Sequence, residues 1–132
     1  MNKINKTNET NETNKTNETN ETGKTGKTKK TDELTITLDQ TDPSVHRYIL
    51  SGRVSIAEAN ELQFELEEAM RGGTSRFILN MRKVTFLSSS GIRVLLMFYK
   101  KANARYGSFH VESPSENVIN VLGLTALDAM LL

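Results

Sequence analysis

The distribution of apolar and polar residues divides the chain into a polar N-terminal stretch and a patterned remainder. Residues 2–31 repeat in triplets such as Asn-Glu-Thr and Gly-Lys-Thr, and Ile4 is their only apolar residue. A period of three fits neither a helix nor a strand, and so polar a segment cannot bury enough surface to offset its loss of conformational entropy. We therefore predict a disordered tail over residues 1–33 and one folded domain over residues 34–132.

Alternating apolar residues open the folded part with two strands. Leu34–Gln40 alternates apolar and polar positions, and Val45–Ser51 follows after the turn-forming residues 41–44. So short a connection predicts an antiparallel hairpin, whose second strand ends at Gly52. Two more strands are predicted later in the chain, a buried parallel one at Phe77–Leu79 and another at Ser108–Glu112.

Helical spacing of apolar residues separates these strands. The first helix begins at Ser55, where Glu58 completes a capping box, and it ends at Gly72. Its predicted buried residues are Ala59, Leu62, Leu66, Ala69 and Met70. Its predicted exposed acids are Glu58, Glu61, Glu65 and Glu68.

A second capping box, Ser113-Pro114-Ser115-Glu116, predicts another helix after the last strand, with the proline at the first helical position. Gly123 ends this helix, and one or two helical turns follow over residues 125–132. Its predicted inner face comprises Val118, Ile119 and Leu122. Strands that alternate with helices after a hairpin predict an α/β fold, a small mixed sheet with helices packed on it.

Between these elements lies a stretch with more specific chemistry. Apolar-rich residues 84–87 precede Ser88, Ser89, Ser90 and Gly91, and a helix with apolar residues at 92, 95, 96, 99 and 102 begins at once. The serines therefore lie at a helix N-terminus, where hydroxyls cap free N–H groups and the helix dipole favours negative charge. A phosphate, bound or covalently attached, fits such a position.

The same helix has a predicted outward face. Val94, Met97, Phe98, Lys101 and Arg105 lie away from the apolar stripe. Apolar residues flanked by cations suit contact with a partner protein. The alternative is that another part of the chain covers Phe98, or that single apolar residues are simply exposed.

Composition argues against several classes of function. The chain has 17 basic and 16 acidic residues and a net charge of +1, so nucleic acid is not an expected partner. It has no cysteine, which excludes disulfides, thiolate metal sites and a cysteine nucleophile. The apolar runs are too short for a membrane span and no signal-peptide pattern is present. We therefore expect a cytoplasmic protein without a membrane partner.

One alternative function is that of a small serine hydrolase. A serine nucleophile needs a base, and the only histidines are His46 and His110, neither within a catalytic motif. We expect both to be structural residues. Two lone histidines define no metal site either, and the sequence predicts no cofactor.

Residues 34–132 resemble the STAS domain, which occurs in bacterial anti-sigma factor antagonists and in sulfate transporters. The resemblance rests on three segments in order, Leu50–Ser55, Phe77–Met81 and Val84–Ile92, and on a similar closing segment, residues 121–124. It implies a STAS-like single domain with a small mixed sheet and packed helices. It also implies a regulatory protein that is not an enzyme.

In such antagonists, a cytoplasmic serine kinase that is also the anti-sigma factor phosphorylates one serine of this turn. The unmodified antagonist binds the kinase and frees the sigma factor, and the modified one is released. By position, the resemblance implies Ser89 as the acceptor, and we expect a monomer rather than an oligomer. The implied partner surface comprises Ser88, Ser89, Ser90, Gly91, Arg93, Val94, Met97, Phe98 and Lys101.

Three positions depart from the family pattern. Ser88 stands where an acid usually precedes the acceptor, Asn80 where an aspartate commonly ends the preceding strand, and Ser55 where one often precedes the first helix. These departures keep an alternative open. The domain is then a STAS scaffold without phosphate turnover, or a module that binds a nucleotide at the same helix N-terminus.

Overall fold

The computed structural model describes residues 28–31, 33–42 and 44–132. The prediction of a disordered segment over residues 1–27 lies outside the described residues. The strands are β1 (Thr28–Lys30), β2 (Leu34–Asp39), β3 (His46–Val54), β4 (Arg76–Leu87) and β5 (Ser108–Glu112). The helices are α1 (Ile56–Arg71), α2 (Ser89–Ala104), α3 (Glu116–Leu124) and α4 (Asp128–Leu131). None of these helices is long and apolar enough to cross a bilayer.

The strands form one mixed sheet in the order β1-β2-β3-β4-β5. β1 to β3 pair antiparallel, while β4 runs parallel to both β3 and β5. The predicted hairpin and mixed sheet are therefore confirmed. Alternate residues of each long strand are buried beneath α1 and α2, and one hydrophobic cluster joins the sheet to all four helices.

β3 does not end at Gly52, as the sequence predicts, but continues to Val54. Gly52 has a φ of 120°, and a Cβ atom there would lie 2.0 Å from the carbonyl oxygen of Glu33. Only glycine fits this irregular point of the strand, where the register with β4 shifts. The glycine therefore allows the strand to bend rather than ending it.

β4 is also longer than predicted. It extends from Arg76 through Leu87 and thus reaches the serine turn directly, whereas the predicted strand ended at Leu79. Phe77, Leu79 and Met81 are buried at alternate positions, and Val84 and Leu87 continue the buried side after a change of period. The polar pair Arg82-Lys83 is exposed within the strand, which explains why the sequence resembles a loop there.

The first helix confirms most of its predicted buried stripe, with Ala59, Leu62, Leu66 and Met70 in the core and Ala69 partly buried against it. Glu58 is an exception, because it is predicted to be exposed but is only 6% exposed. Its carboxylate turns back to the helix start and accepts a hydrogen bond from the Ser55 hydroxyl.

The third helix begins two residues later than predicted. Ser115, not Ser113, is its N-cap, and the Ser115 hydroxyl accepts a hydrogen bond from the Val118 N–H at 3.2 Å. The same hydroxyl donates to the Val84 carbonyl at 2.6 Å, which ties the helix to β4. Pro114 consequently lies outside the helix, which runs on through Gly123. Val118 and Leu122 are buried as predicted, but Ile119 is exposed.

β1 is the least expected element, because it lies within the range predicted as a tail. Its backbone pairs with β2, and the Lys29 ammonium lies 2.6 Å from Glu61 and 3.1 Å from Glu65. It also lies 5.0 Å from the ring centroid of Phe64. Burial acts to lower the pKa of Lys29, but hydrogen bonds from Lys29 to the two carboxylates outweigh it and raise that pKa. A polar strand thus joins the sheet through backbone pairing and the ion pairs of one lysine.

Substitution of Lys29 by Gln should loosen β1, because Gln keeps a polar side chain but loses both ion pairs. Exposed pairs contribute up to about 1 kcal/mol, so amide hydrogen exchange in β1 and its β2 partners should rise about fivefold. Lys30→Gln is the matched control, since Lys30 is exposed on the other side of the same strand. Equal exchange rates in both variants would contradict this role of Lys29.

Candidate functional site

The serine turn lies where two parallel strands end side by side. Val54 of β3 pairs with Leu87 of β4, and each strand is followed at once by a helix. The Ser88 N–H donates to the Val54 carbonyl at 2.9 Å, which continues the pairing one residue beyond β4. The N-terminus of α2 is thereby fixed beside that of α1 at the carboxyl edge of the sheet.

The three serines have different environments. Ser88 is the N-cap of α2, and its hydroxyl accepts a hydrogen bond from the Gly91 N–H at 3.1 Å. Capping by the serine turn is therefore confirmed, and Ser88 is the residue that does it. Ser89 is the first helical residue and is exposed, while Ser88 and Ser90 are half-buried. Of the three serines, Ser89 is the exposed one.

Gly91 is buried, so its predicted contact with a partner is wrong. A Cβ atom at this position would lie 2.7 Å from Leu87 Cδ1 and 2.9 Å from Val54 Cγ1. Both distances are shorter than side chains tolerate. The glycine therefore allows the first turn of α2 to lie directly on the ends of β3 and β4.

Replacement of Gly91 by Ala should destabilise the domain by about 1–3 kcal/mol, because the added methyl group must displace two packed side chains. Chemical denaturation measures this directly. Gly123→Ala is the control, since Gly123 also lies in a helix but has no atom within 4 Å of its missing Cβ. A Gly91→Ala domain as stable as Gly123→Ala would show that the close approach is unnecessary.

The outward face of α2 differs from the prediction. Val94 and Phe98 are 3% and 0% exposed, so they belong to the core and cannot contact a partner. The buried stripe is Gly91, Val94, Leu95, Phe98 and Ala102, with Ile92, Met97 and Tyr99 partly buried beside it. Two stripes with the same helical period fit this sequence. The prediction chose the wrong one because it did not count glycine as a buried residue.

A cationic surface remains along the solvent side of α2. Arg93, Lys100 and Lys101 are exposed, and with Leu96 and Met97 they line a shallow depression of about 370 Å³. The Lys101 ammonium lies 5.2 Å from the ring centroid of Phe98, a cation–π contact with the core. None of the ion pairs among the described residues involves these three cations, and α2 itself contains no acid.

Comparison with known proteins agrees with this architecture. Residues 38–131 match the family model of the STAS domain. The chain belongs to the STAS family. No curated protein sequence gives a significant match.

Several solved structures share the fold of this STAS domain. The anti-sigma factor antagonist SpoIIAA in its unphosphorylated form aligns with a TM-score of 0.67 and 18% identity, over 74% of this chain and 85% of that one. The phosphorylated form of SpoIIAA from Bacillus gives 0.60 and 17%, over 74% and 88%. An anti-sigma factor antagonist from Mycobacterium paratuberculosis gives 0.63 and 22%, over 76% and 84%.

The three positions that depart from the STAS pattern have defined contacts. Ser88 caps α2, as described above. Asn80 lies inside β4 rather than at its end, and its amide donates to the Glu112 carboxylate at 3.0 Å. Ser55 is the N-cap of α1, and its hydroxyl donates to the Glu58 carboxylate. Asn80 and Ser55 are therefore each in contact with a carboxylate from elsewhere in the chain.

Glu58, in the first turn of α1, is predicted to be exposed but is buried. The hydrogen bond from the Ser55 hydroxyl is the main cause that lowers the pKa of Glu58, although burial opposes it. A weaker contact joins the same carboxylate to the Thr31 hydroxyl at 3.4 Å. The predicted capping box is only half formed, because the Ser55 side chain does not accept a backbone hydrogen bond. The spacing of Ser55 and Glu58 nevertheless predicts that the Glu58 side chain folds back to the helix start.

The histidines lie far from the serine turn. His46 and His110 are in register with the first residues of β4, whereas Ser88 follows its last residue. At roughly 3.3 Å per residue, about 30 Å of strand separates them. Neither histidine can therefore activate a serine of the turn. Among the described residues, no group of three potential metal-ligating side chains occurs.

Proposed function

We propose that this STAS domain is an anti-sigma factor antagonist-like regulator, which binds an anti-sigma factor with serine kinase activity and is released by phosphorylation of Ser89. The observation that carries the proposal is the division of roles in the serine turn. Ser88 caps the helix, so the Ser89 hydroxyl is not needed as a cap. Ser89 is also exposed. Within the described chain, no hydrogen bond holds its hydroxyl.

The partner surface in this proposal comprises the serine turn, Ser88 to Ser90, and the cationic side of α2. Arg93, Met97 and Lys101 stay in it from the original prediction, and Leu96 and Lys100 join them. Val94, Phe98 and Gly91 leave it because they are buried. Apolar side chains in the floor and charges at the rim are the usual arrangement of a protein-binding surface.

A phosphate at Ser89 adds about −1.5 to −2 charge in the first turn of α2. The helix dipole favours negative charge there, so the domain keeps its fold. A partner surface that fits the neutral turn instead meets an extra charge to desolvate. A tenfold loss of affinity requires only about 1.4 kcal/mol, which one modification can supply.

Two considerations support this function over its alternatives. Structures that share this fold include SpoIIAA in both unphosphorylated and phosphorylated forms, so the fold accommodates a phosphate in that protein. The hydrolase alternative lacks a histidine base near the serines, because both histidines lie at the other end of β4. The absence of an acid at Ser88 favours the phosphate-free scaffold, and the experiments below separate that alternative from the switch.

The direct test incubates the purified domain with each candidate anti-sigma kinase of the source genome and ATP, followed by peptide mapping by mass spectrometry. We expect one phosphate, on Ser89. A kinase that binds the domain but leaves Ser89 unmodified would contradict the switch and support the scaffold.

Charge at position 89 should control binding to that kinase. Ser89→Asp should weaken affinity about tenfold or more, whereas Ser89→Ala should stay within about twofold of the wild type. Ser44→Asp is the matched control, since Ser44 is exposed in the turn between β2 and β3, at the far end of β3 from α2. Isothermal titration calorimetry measures all three. Equal affinities of Ser89→Asp and Ser89→Ala would rule out a charge-gated surface.

A further inference from the structure

Ser89 and Arg93 are one helical turn apart on the solvent side of α2. Both residues are exposed, and both lie opposite the buried stripe of the helix. Side chains at positions i and i+4 of a helix are neighbours, with Cβ atoms about 5–6 Å apart. An Arg side chain is long enough to cover that distance and to reach a group attached to Ser89.

Arg93 is available for such a contact. The ion pairs of the described residues engage Lys29, Arg47, Arg53 and Arg71, but not Arg93. The first turn of α2 contains no acid that would compete for it. Within that turn, the Gly91 N–H is already taken by the Ser88 hydroxyl. Among the donors that remain near Ser89, the Arg93 guanidinium carries a full positive charge, which the backbone N–H groups do not.

We propose that Arg93 binds the phosphate of phosphorylated Ser89 within the same helix, through paired N–H donors of its guanidinium group. The planar guanidinium matches two phosphate oxygens at once, which a lysine ammonium does not. This inference rests on the proposed phosphorylation of Ser89, but it concerns how the modified domain differs from the unmodified one. Arg93 is a phosphate-binding residue that acts in cis.

The contact gives phosphorylation two effects on the partner surface. It introduces negative charge at Ser89, and it withdraws Arg93 from the cationic group that Arg93 forms with Lys100 and Lys101. A partner that uses these cations loses one of them when the phosphate arrives. The modified surface is thus changed over a full helical turn, not only at the serine.

The test uses the full chain with phosphoserine installed at position 89 during translation, so no kinase is needed. The pH titration of the phosphate, followed by ³¹P NMR at low salt, reports its second pKa, which is ordinarily near about 6. A guanidinium in contact stabilises the dianion, so Arg93→Gln should raise this pKa by roughly 0.5 units. The shift should shrink in about 1 M salt, where screening is strong.

Lys100→Gln is the matched control. Lys100 is exposed on the same side of α2, but its position 11 residues after Ser89 places it roughly 16 Å away along the axis. It should leave the phosphate pKa nearly unchanged, and Arg93→Lys should give an intermediate value. An Arg93→Gln shift no larger than that of Lys100→Gln would overturn the proposal. Because phosphoserine is installed during translation, failure of any kinase to modify Ser89 would count against the proposed function and not against this contact.

Discussion

The position of the serine turn depends on the absence of a side chain at residue 91. Without a Cβ atom, the first turn of α2 lies so close to Leu87 and Val54 that an added methyl group would come within 2.7 Å and 2.9 Å of their side chains. The backbone bond from Ser88 to Val54 then continues the parallel pairing into the helix start. The close approach at Gly91 and this backbone bond together hold the start of α2 beside the strand ends.

In this arrangement Ser88 has the structural role of the turn, and Ser89 has its chemical role. Ser88 is engaged by the Gly91 N–H, so the helix is capped whether or not its neighbour is modified. Ser89 can change charge on a turn that is already complete. Both proposals follow from this separation, because a modification that broke the cap would act by unfolding rather than by a change of surface charge.

Sequence patterns predicted those parts of the fold in which apolar periodicity is strong. They identified the hairpin, the parallel strand at Phe77–Leu79, the strand Ser108–Glu112 and the serine-capped helix. They missed β1, whose polar residues have no periodicity and which is held by backbone pairing and by Lys29. They also predicted that a strand ends at Gly52 and a helix at Gly123, but β3 continues beyond Gly52 and α3 continues beyond Gly123.

The candidate site was predicted less completely than the fold. Exposure of Ser89 followed from its place at a helix start, but burial of Val94 and Phe98 depended on how α2 rotates about its axis. In that rotation Gly91 faces the ends of β3 and β4, and a glycine carries no hydrophobic signal in the sequence. Glu58 was missed for a related reason, since its helical position is outward while its flexible side chain folds back to Ser55.

The central claim is that phosphorylation changes the charge of one exposed turn on a frame that does not move. Comparison of backbone amide NMR spectra of the unmodified chain and the chain with phosphoserine at position 89 tests this most directly. We expect chemical shift changes confined to the first turns of α2, from Ser88 to about Met97, and unchanged amides for Leu50 and Leu79 in the sheet. Changes spread through the sheet and α1 would contradict the account.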